Sequence, residues 1–589
     1  MPRPRITLGA MTARAVAIGV LVVLAVAAGA AARASAAKFT KGSYRVPVTQ
    51  PDETGAPVTL DTDVYVPARR PPRRGFPLLA IFHGGGSDKT NGFDAGHARY
   101  FARHGYVVVL YSARGHGSSD GQTTIVGPKE VRDIYDVLAW VLGVGGRDSP
   151  AHPAFHADRH RIGLAGYSQG GLHTNLAQAH NLDPDLNPYG LRFRALAPGN
   201  TPDLTFQALV QNAVVKLSFG VGLMQTYLVG AHAKIAPEVE RWIATAAADL
   251  PGLYGGEICE HDDHDSGSST MKEDLAVRSP GCFMRRMTVP SAWAQAFDDL
   301  LFTPDMAARM WRRMPSKGNR LYLSMGGHGA PSASRAVERD KLRWQRRFLD
   351  ALLRGRNSRA RRVVYWARDP SIQVPGDAYA YPKRAWRRRA TGTWPPPRAR
   401  KVAFALSADG RATRGEATPG ELRLSPLFAD AASDPVASAA ASATPVGTSI
   451  VRGLPASSSP GLLAAFDTGP FAHRRELAGP VRARLEWTPA SPDSQAVLRV
   501  FDRAPDGTLT LLARGVEGMR GATPGEARRL TVRANDFAAL IRRSHSLLTW
   551  ISAADAPFYK AYPASLGGTM LAGPTATLTV RLRSRPKSH

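Results

Sequence analysis

Apolar residues fall along this chain in distinct rhythms, and the rhythms divide it. Over residues 43–66 they alternate with polar ones, most clearly at 59–66, the period-two signature of half-buried strands. Residues 76–82 and 106–111 are near-continuous apolar runs, as expected of strands covered on both faces, and 131–141 carries helical apolar spacing. A further strand-like run, 161–165, leads into Gly166-Tyr167-Ser168-Gln169-Gly170-Gly171, after which 172–179 has helical character. Strands alternating with helices predict an α/β fold, a doubly wound and mainly parallel sheet. After this helix the alternation breaks. Residues 201–287 carry helical segments, such as 206–215 and 237–248, and a polar loop. The strand pattern resumes at 289–297 and again at 320–325, before a Gly/His loop and a helix over 333–353. A helical insertion placed this way sits over strand ends, where it caps a site.

Beyond Pro395-Pro396-Pro397 the character changes again. Short strand-like runs at 402–406, 481–487, 496–501 and 575–580, separated by Asp-Gly and Pro-Gly turns, predict an all-β jelly-roll sandwich, while 430–448, rich in Ala, Ser and Pro, reads as a flexible loop. At 589 residues the chain is too long for one core. The expected division is a leader over 1–36, an α/β domain over 37–200 and 288–355 interrupted by a helical cap at 201–287, a linker over 356–397 and a sandwich over 398–589.

The leader follows from charge next to apolarity. Arg3, Arg5 and Arg14 precede an apolar stretch over 15–32, and Ala34-Ser35-Ala36 places small residues where a signal peptidase reads. Export to an extracellular or cell-envelope location is expected; retention of the stretch as a membrane anchor is the alternative. An oxidising compartment suits the cysteine count, because Cys259 and Cys282 are the only two and can close a modest loop as a disulfide. The formal charge is +28, with arginine dense around 359–389. That excess allows electrostatic association with an anionic envelope. No nucleic-acid-binding module accompanies it, so no nucleic-acid partner is expected.

Candidate chemistry centres on Ser168. A serine on a sharp strand-to-helix turn has its Oγ thrust out of the sheet, and Gly166 and Gly170 let neighbouring backbone come close enough for the turn to exist. Gly-x-Ser-x-Gly alone is weak in a chain with 56 glycines. Gly117-Ser118-Ser119-Asp120-Gly121 also fits the pattern, but no helix starts directly after it, and Ser119 reads as a turn residue. A serine hydroxyl needs an imidazole to take its proton and a carboxylate to fix that imidazole's tautomer, in the order serine, acid, histidine for this kind of sheet. His328, in Gly326-Gly327-His328-Gly329 after the last strand, has that order. The acid should end the preceding strand, where Asp298 and Asp299 compete. Asp299 is favoured, with Asp298 then a cap for the following helix. Oxyanion donors are expected from the N–H of Gln169 and from the loop at Gly84-Gly85. The chemistry requires no metal and no organic cofactor.

With these motifs the chain resembles the X-Pro dipeptidyl-peptidase and cocaine-esterase (CocE/NonD) type of serine hydrolase. The resemblance is carried by Arg114-Gly115-His116-Gly117-Ser118, the elbow around Ser168, Asp299-Leu300-Leu301-Phe302 and Gly327-His328-Gly329. Farther along it includes Ala465-Phe466-Asp467-Thr468-Gly469-Pro470, Glu476-Leu477-Ala478-Gly479-Pro480 and residues 500–507. It implies an α/β-hydrolase with an inserted cap and a jelly-roll, galactose-binding-like C-terminal domain, acting on X-Pro dipeptides, short-chain or aromatic esters, or α-amino-acid esters. One departure stands out. Where cocaine-esterase-like members carry a Pro-Tyr pair whose hydroxyl helps bind the oxyanion, this chain has His83-Gly84-Gly85-Gly86, so a backbone donor is expected instead.

The substrate is expected to be a small peptide or an ester. In the cap, Glu260, Asp262 and Asp263 form an acidic cluster in a basic protein. One reading gives it the free α-amino group of a dipeptidyl substrate; the other makes it a solvated loop or incidental cation site. A competing class of function, a non-catalytic envelope protein that binds glycans through its sandwich, does not need Ser168, Asp299 and His328 in this order. Oligomeric state is not legible in the sequence.

Overall fold

A computed structural model describes residues 38–144, 154–216, 234–248, 259, 271–328, 334–357, 360–372, 382–426, 450–451, 461–555 and 558–583. The leader 1–36, Glu260, Asp262, Asp263 and the whole 430–448 stretch lie outside the described residues.

The first sheet is built from β1 (Phe39–Pro47), β2 (Thr59–Pro67), β3 (Phe76–Phe82), β4 (Val107–Tyr111), β5 (Ala157–Tyr167) and β6 (Phe193–Gly199). Two cap strands follow in sequence, β7 (Val210–Gln211) and β8 (Val214–Val215), before β9 (Ala292–Ala296), β10 (Arg320–Ser324) and β11 (Val363–Arg368). Its spatial order is β1-β2-β4-β3-β5-β6-β9-β10-β11, antiparallel at the leading edge and parallel from β4 onward. Every residue of β3 and β4 is buried, as their unbroken apolar runs predict, because helices cover both faces. The covering helices begin and end where local chemistry dictates. Asn91 caps Gly92–Arg103 by accepting from Phe93 N, Ser334 caps Arg335–Arg354 by accepting from Ala336 N, and Gly143 and Gly355 take left-handed φ of 63° and 65° at helix C-termini.

Among its described residues the insertion has the expected helix Pro237–Ala248 but departs from expectation earlier. Residues 206–215, expected as one helix, form a single turn (Phe206–Leu209) followed by the hairpin β7–β8, with Asn212 and Ala213 at φ of 48° and 65°. Valines at 210, 214 and 215 favour strand, and Asn-Ala supplies the two positive-φ positions of a tight turn. Cys259 and Cys282 form the disulfide, which closes a loop within the cap onto its 3-10 segment Pro280–Arg286, where Phe283 packs 5.0 Å from the ring of His180, just past the helix after β5.

Residues 356–397, expected as a linker, instead extend the structure. β11 adds to the parallel sheet and Trp386–Thr391 pairs antiparallel with it, because 363–368 is an apolar run that the sheet edge can bury. Through Arg368 opposite Ala539 the first sheet continues into one sheet of the sandwich: Arg528–Ile541, Arg475–Pro489, Gly568–Arg583 and Ala399–Leu406. A second sheet contains Leu509–Met519, Ser494–Arg503, Ser546–Ser552 and Leu463–Asp467. The junction is aromatic, with Trp394 lying 5.5 Å from Phe297 and 5.2 Å from Tyr365 and donating its indole N–H to Asp536 at 2.7 Å. The sandwich thus packs directly behind the loop that follows β9.

Candidate active site

Ser168 joins β5 to the helix Gln169–Ala179 at φ 58° and ψ −125°, a backbone state that costs a non-glycine residue roughly 1–3 kcal/mol. Its neighbours permit the turn by lacking side chains. A Cβ on Gly166 would stand 2.3 Å from the Gly170 carbonyl oxygen, and one on Gly170 would stand 2.1 Å from that of Phe82. Ser168 N donates to Gly199 O at 2.9 Å, so the elbow is pinned to β6.

Ser168 Oγ lies 2.9 Å from His328 Nε2, and His328 Nδ1 lies 3.1 and 3.2 Å from Asp299 Oδ2 and Oδ1. Asp299 is fully buried, whereas the His328 side chain keeps 23% of its surface exposed. The Asp299 carboxylate is cradled. Oδ1 accepts from the N–H groups of Leu301 at 3.1 Å and Phe302 at 2.9 Å, and Oδ2 accepts from Gln295 Nε2 at 3.2 Å. The Phe302 ring meets His328 edge-on at 4.9 Å.

Asp298 does not cap the next helix, whose N-cap is Thr303. Its Oδ1 accepts from Gly326 N at 2.8 Å and Gly327 N at 2.9 Å, so it fixes the loop that carries His328. Burial pushes its carboxyl up to about 6, with the two glycine N–H groups opposing the rise. Adjacent aspartates thus split two tasks, one facing the imidazole and the other facing its loop. Asn200, which the sequence reading did not single out, adds a third tie. Its amide donates to Gly327 O at 3.2 Å and accepts from Ala296 N at 3.1 Å, linking β6, β9 and the histidine loop. The signal available was an Asn directly after the β6 Gly199, at the carboxyl end of a parallel strand.

Gly84 lies beside the serine, since a Cβ built on it would come 3.7 Å from Ser168 Cβ. Its carbonyl accepts from His83 Nδ1 at 2.8 Å, and its N–H faces the buried Asp94 carboxylate. His83 Nε2 in turn accepts from Ala113 N at 2.9 Å, and burial holds that imidazole neutral, down to about 3. Among the described residues the Gly85 N–H has no hydrogen-bond partner. Of the two glycines, Gly85 therefore has the donor to spare. Gln169 N–H opens the helix that follows the serine, where backbone donors and helix dipole favour negative charge.

Beneath the elbow helix, His173 Nε2 lies 3.1 Å from Glu130 Oε2, both nearly fully buried. Burial alone would raise the Glu130 carboxyl, but the His173 hydrogen bond and charge, aided by Thr124 N, hold it down to about 2. Ser119 is a turn residue: its hydroxyl donates to Ser112 O at 2.6 Å and accepts from Asp61 N at 2.8 Å.

Residues 54–330 match the X-Pro dipeptidyl-peptidase (S15 family), and residues 358–583 match the X-Pro dipeptidyl-peptidase C-terminal non-catalytic domain. Among curated proteins none matches the chain significantly. Similar solved structures include a CocE/NonD family hydrolase from Staphylococcus aureus, 13% identical over 92% of this chain and 94% of that one, with a TM-score of 0.63. An aminopeptidase from a marine sediment archaeon, Thaumarchaeota archaeon, is 13% identical over 93% and 97%, with a TM-score of 0.66. An α-amino acid ester hydrolase is 14% identical over 93% and 97%, with a TM-score of 0.60. At these identities the solved structures speak for the fold.

Proposed function

Because the chain belongs to the X-Pro dipeptidyl-peptidase (S15) family of serine hydrolases, we propose that it cleaves a peptide amide or carboxylic ester through an acyl-enzyme on Ser168. The observation that carries this reading is the unbroken relay from Ser168 Oγ through His328 to the buried Asp299.

In this mechanism His328 Nε2 takes the Oγ proton as Oγ bonds to the substrate carbonyl carbon, and the carbonyl oxygen becomes an oxyanion. Asp299 holds Nδ1–H toward itself, leaving Nε2 free as the base, and offsets the imidazolium charge. The N–H groups of Gln169 and Gly85 receive the oxyanion; a donor in such a position typically contributes about 3–4 kcal/mol. His328 then gives its proton to the leaving amine or alkoxide, the carbon–leaving-group bond breaks, and a water activated by the same imidazole releases the acid. Gly84, whose carbonyl accepts from His83 Nδ1 and whose N–H faces Asp94, steadies the Gly84–Gly85 peptide.

Two further elements complete the proposal. The leader 1–36 exports the chain, in keeping with the disulfide-bonded cysteines. The acidic residues Glu260, Asp262 and Asp263, next in sequence to Cys259, receive the free amine of a dipeptidyl substrate. The test is initial rates on an X-Pro anilide and a short-chain nitrophenyl ester, each beside Ser168→Ala. Ser168-dependent anilide cleavage that requires a free amine supports dipeptidyl-peptidase action. Cleavage of the ester alone reassigns the chain as an esterase or acylase. No Ser168-dependent cleavage of either overturns the proposal.

A further inference from the structure

Lys216 is among the largest fully buried side chains, and its position in the cap directly follows the hairpin β7–β8. Its ammonium donates to Leu300 O at 2.9 Å and to Leu301 O at 3.0 Å. Those carbonyls belong to the turn whose opposite side presents the Leu301 and Phe302 N–H groups to Asp299. We propose that Lys216 is a positioning residue for the triad acid, clamping the 299–302 turn from the cap so that its N–H groups stay aimed at Asp299. This inference rests on the reading of Ser168, His328 and Asp299 as the working triad.

Three observations support it. Burying an ammonium costs several kcal/mol unless the site compensates, and among the described residues Lys216 forms no salt bridge. The compensation comes instead from two backbone carbonyls of one turn, an arrangement that fixes a loop rather than neutralises a charge.

The lysine is also held from behind. Its own N–H donates to Leu209 O at 2.8 Å, and the hairpin before it is fastened to the sandwich. Lys560 N donates to Val215 O and the Tyr562 hydroxyl to Ala213 O, both at 2.8 Å. Gly518 N donates to Asn212 O at 3.0 Å, and Asn212 Nδ2 donates to Val516 O at 2.8 Å. Apolar packing continues the connection, because Val214, Leu301, Phe302, Met306, Val516 and Tyr559 share one cluster. The sandwich, the cap hairpin and the acid turn therefore form one mechanical chain that ends at Lys216.

Finally, among the described residues the charged groups acting on the ammonium are few. Asp299 faces it from the turn and Asp305 from the helix Pro304–Arg313, the latter paired to Arg309 at 2.7 Å. The sandwich hydroxyls contact the hairpin instead, Tyr559 donating to Gln211 Oε1 at 3.1 Å and Tyr562 to Ala213 O at 2.8 Å, with burial holding Tyr559 above its ordinary range. Burial lowers Lys216 to about 8, opposed by Asp299 and Asp305, so the clamp loses its charge within a range that kinetics can reach.

The test uses the full chain and a nitrophenyl ester or X-Pro anilide, whichever Ser168 cleaves, with wild type, Lys216→Met and Lys216→Arg, and with Asp299→Ala as control. Lys216→Met is expected to lower kcat about 10- to 100-fold with KM within about threefold, because the substrate site is untouched. Wild type should lose kcat on the alkaline side with a midpoint near 8, a limb absent in the Met variant and moved upward in the Arg variant, which stays charged. A purely structural lysine would change thermal stability and leave the pH profile of the residual activity alone. Wild-type kcat in the Met variant, or lowered kcat with an unchanged profile, overturns the inference. Should the Met variant not fold, wild type and Lys216→Arg decide by the same limb, and its absence from wild type is equally fatal. If Asp299→Ala keeps full activity, the triad reading itself has failed; if Asp299→Ala is inactive and Lys216→Met is normal, only the clamp is lost.

Discussion

Replacing Asp299 with asparagine changes one oxygen for one nitrogen, and the structure dictates where the nitrogen goes. Oδ1 accepts from two backbone N–H groups, at 3.1 and 2.9 Å, so the amide oxygen must take that place and the NH2 must take the place of Oδ2. There it confronts two donors, Gln295 Nε2 at 3.2 Å and His328 Nδ1 at 3.1 Å. His328 can relieve the conflict by moving its proton to Nε2, but an Nε2–H cannot accept the proton of Ser168. Keeping the productive tautomer forfeits a charge-assisted hydrogen bond of about 1.5–3 kcal/mol and leaves buried donors unpaired at about 1–3 kcal/mol more. Together these amount to about 3–6 kcal/mol, or roughly 10²- to 10⁴-fold in rate at 1.36 kcal/mol per tenfold. Because the interaction matters only as charge develops on His328, the loss should fall on kcat, with KM nearly unchanged. Steady-state kinetics on a nitrophenyl ester, with circular dichroism to show an intact fold, is the assay. A kcat loss under about tenfold would refute the argument that Asp299 sets the His328 tautomer.

Other perturbations probe the parts around this relay. Asp298→Ala removes the acceptor that holds Gly326 and Gly327, so kcat should fall about 10- to 100-fold while Oγ of Ser168 still reacts slowly with a fluorophosphonate; unaltered kcat would separate Asp298 from the histidine loop. Glu130, held down to about 2 in the folded chain against an ordinary 4.5, adds stability that is complete above about pH 4.5 and is lost as pH falls toward 2. The melting-temperature advantage of wild type over Glu130→Gln should therefore shrink between pH 5 and pH 3, and a difference constant across that range would be the contrary result. Gly170→Ala places a methyl 2.1 Å from Phe82 O, which rigid backbone cannot yield, so its melting temperature should drop by several degrees and activity should vanish with the elbow.

How much of this was legible in the sequence follows from the range of the forces involved. The buried strands β3 and β4 and the elbow glycines are local signals: apolar run, close approach, positive φ at Ser168. The order serine, acid, histidine placed Asp299 and His328 in the same site. Hidden from sequence were contacts between segments far apart in the chain. Asp298 reads as a helix cap because its neighbours in sequence are a turn and a helix, yet its partners are 28 and 29 residues away. Lys216 carries no motif, and the carbonyls it holds lie 84 and 85 residues on. Residues 206–215 mislead for another reason: a helix-compatible apolar spacing overlies three β-branched valines, and the sandwich residues that fasten the hairpin, 516–518 and 560–562, decide between the two. The run of arginines at 387–389 likewise reads as a basic linker, but pairing with β11 makes it a strand whose Arg389 bonds Glu476.

A covalent acyl intermediate on Ser168 should be captured by intact-protein and peptide mass spectrometry after acid-quenching the enzyme in the first turnovers of a nitrophenyl ester. The expected result is an acyl mass increment on the peptide containing Ser168, present in wild type, absent in Ser168→Ala, and accompanied by a nitrophenol burst stoichiometric with enzyme. Hydrolysis that continues in Ser168→Ala, or an adduct carried by any other residue, would contradict it.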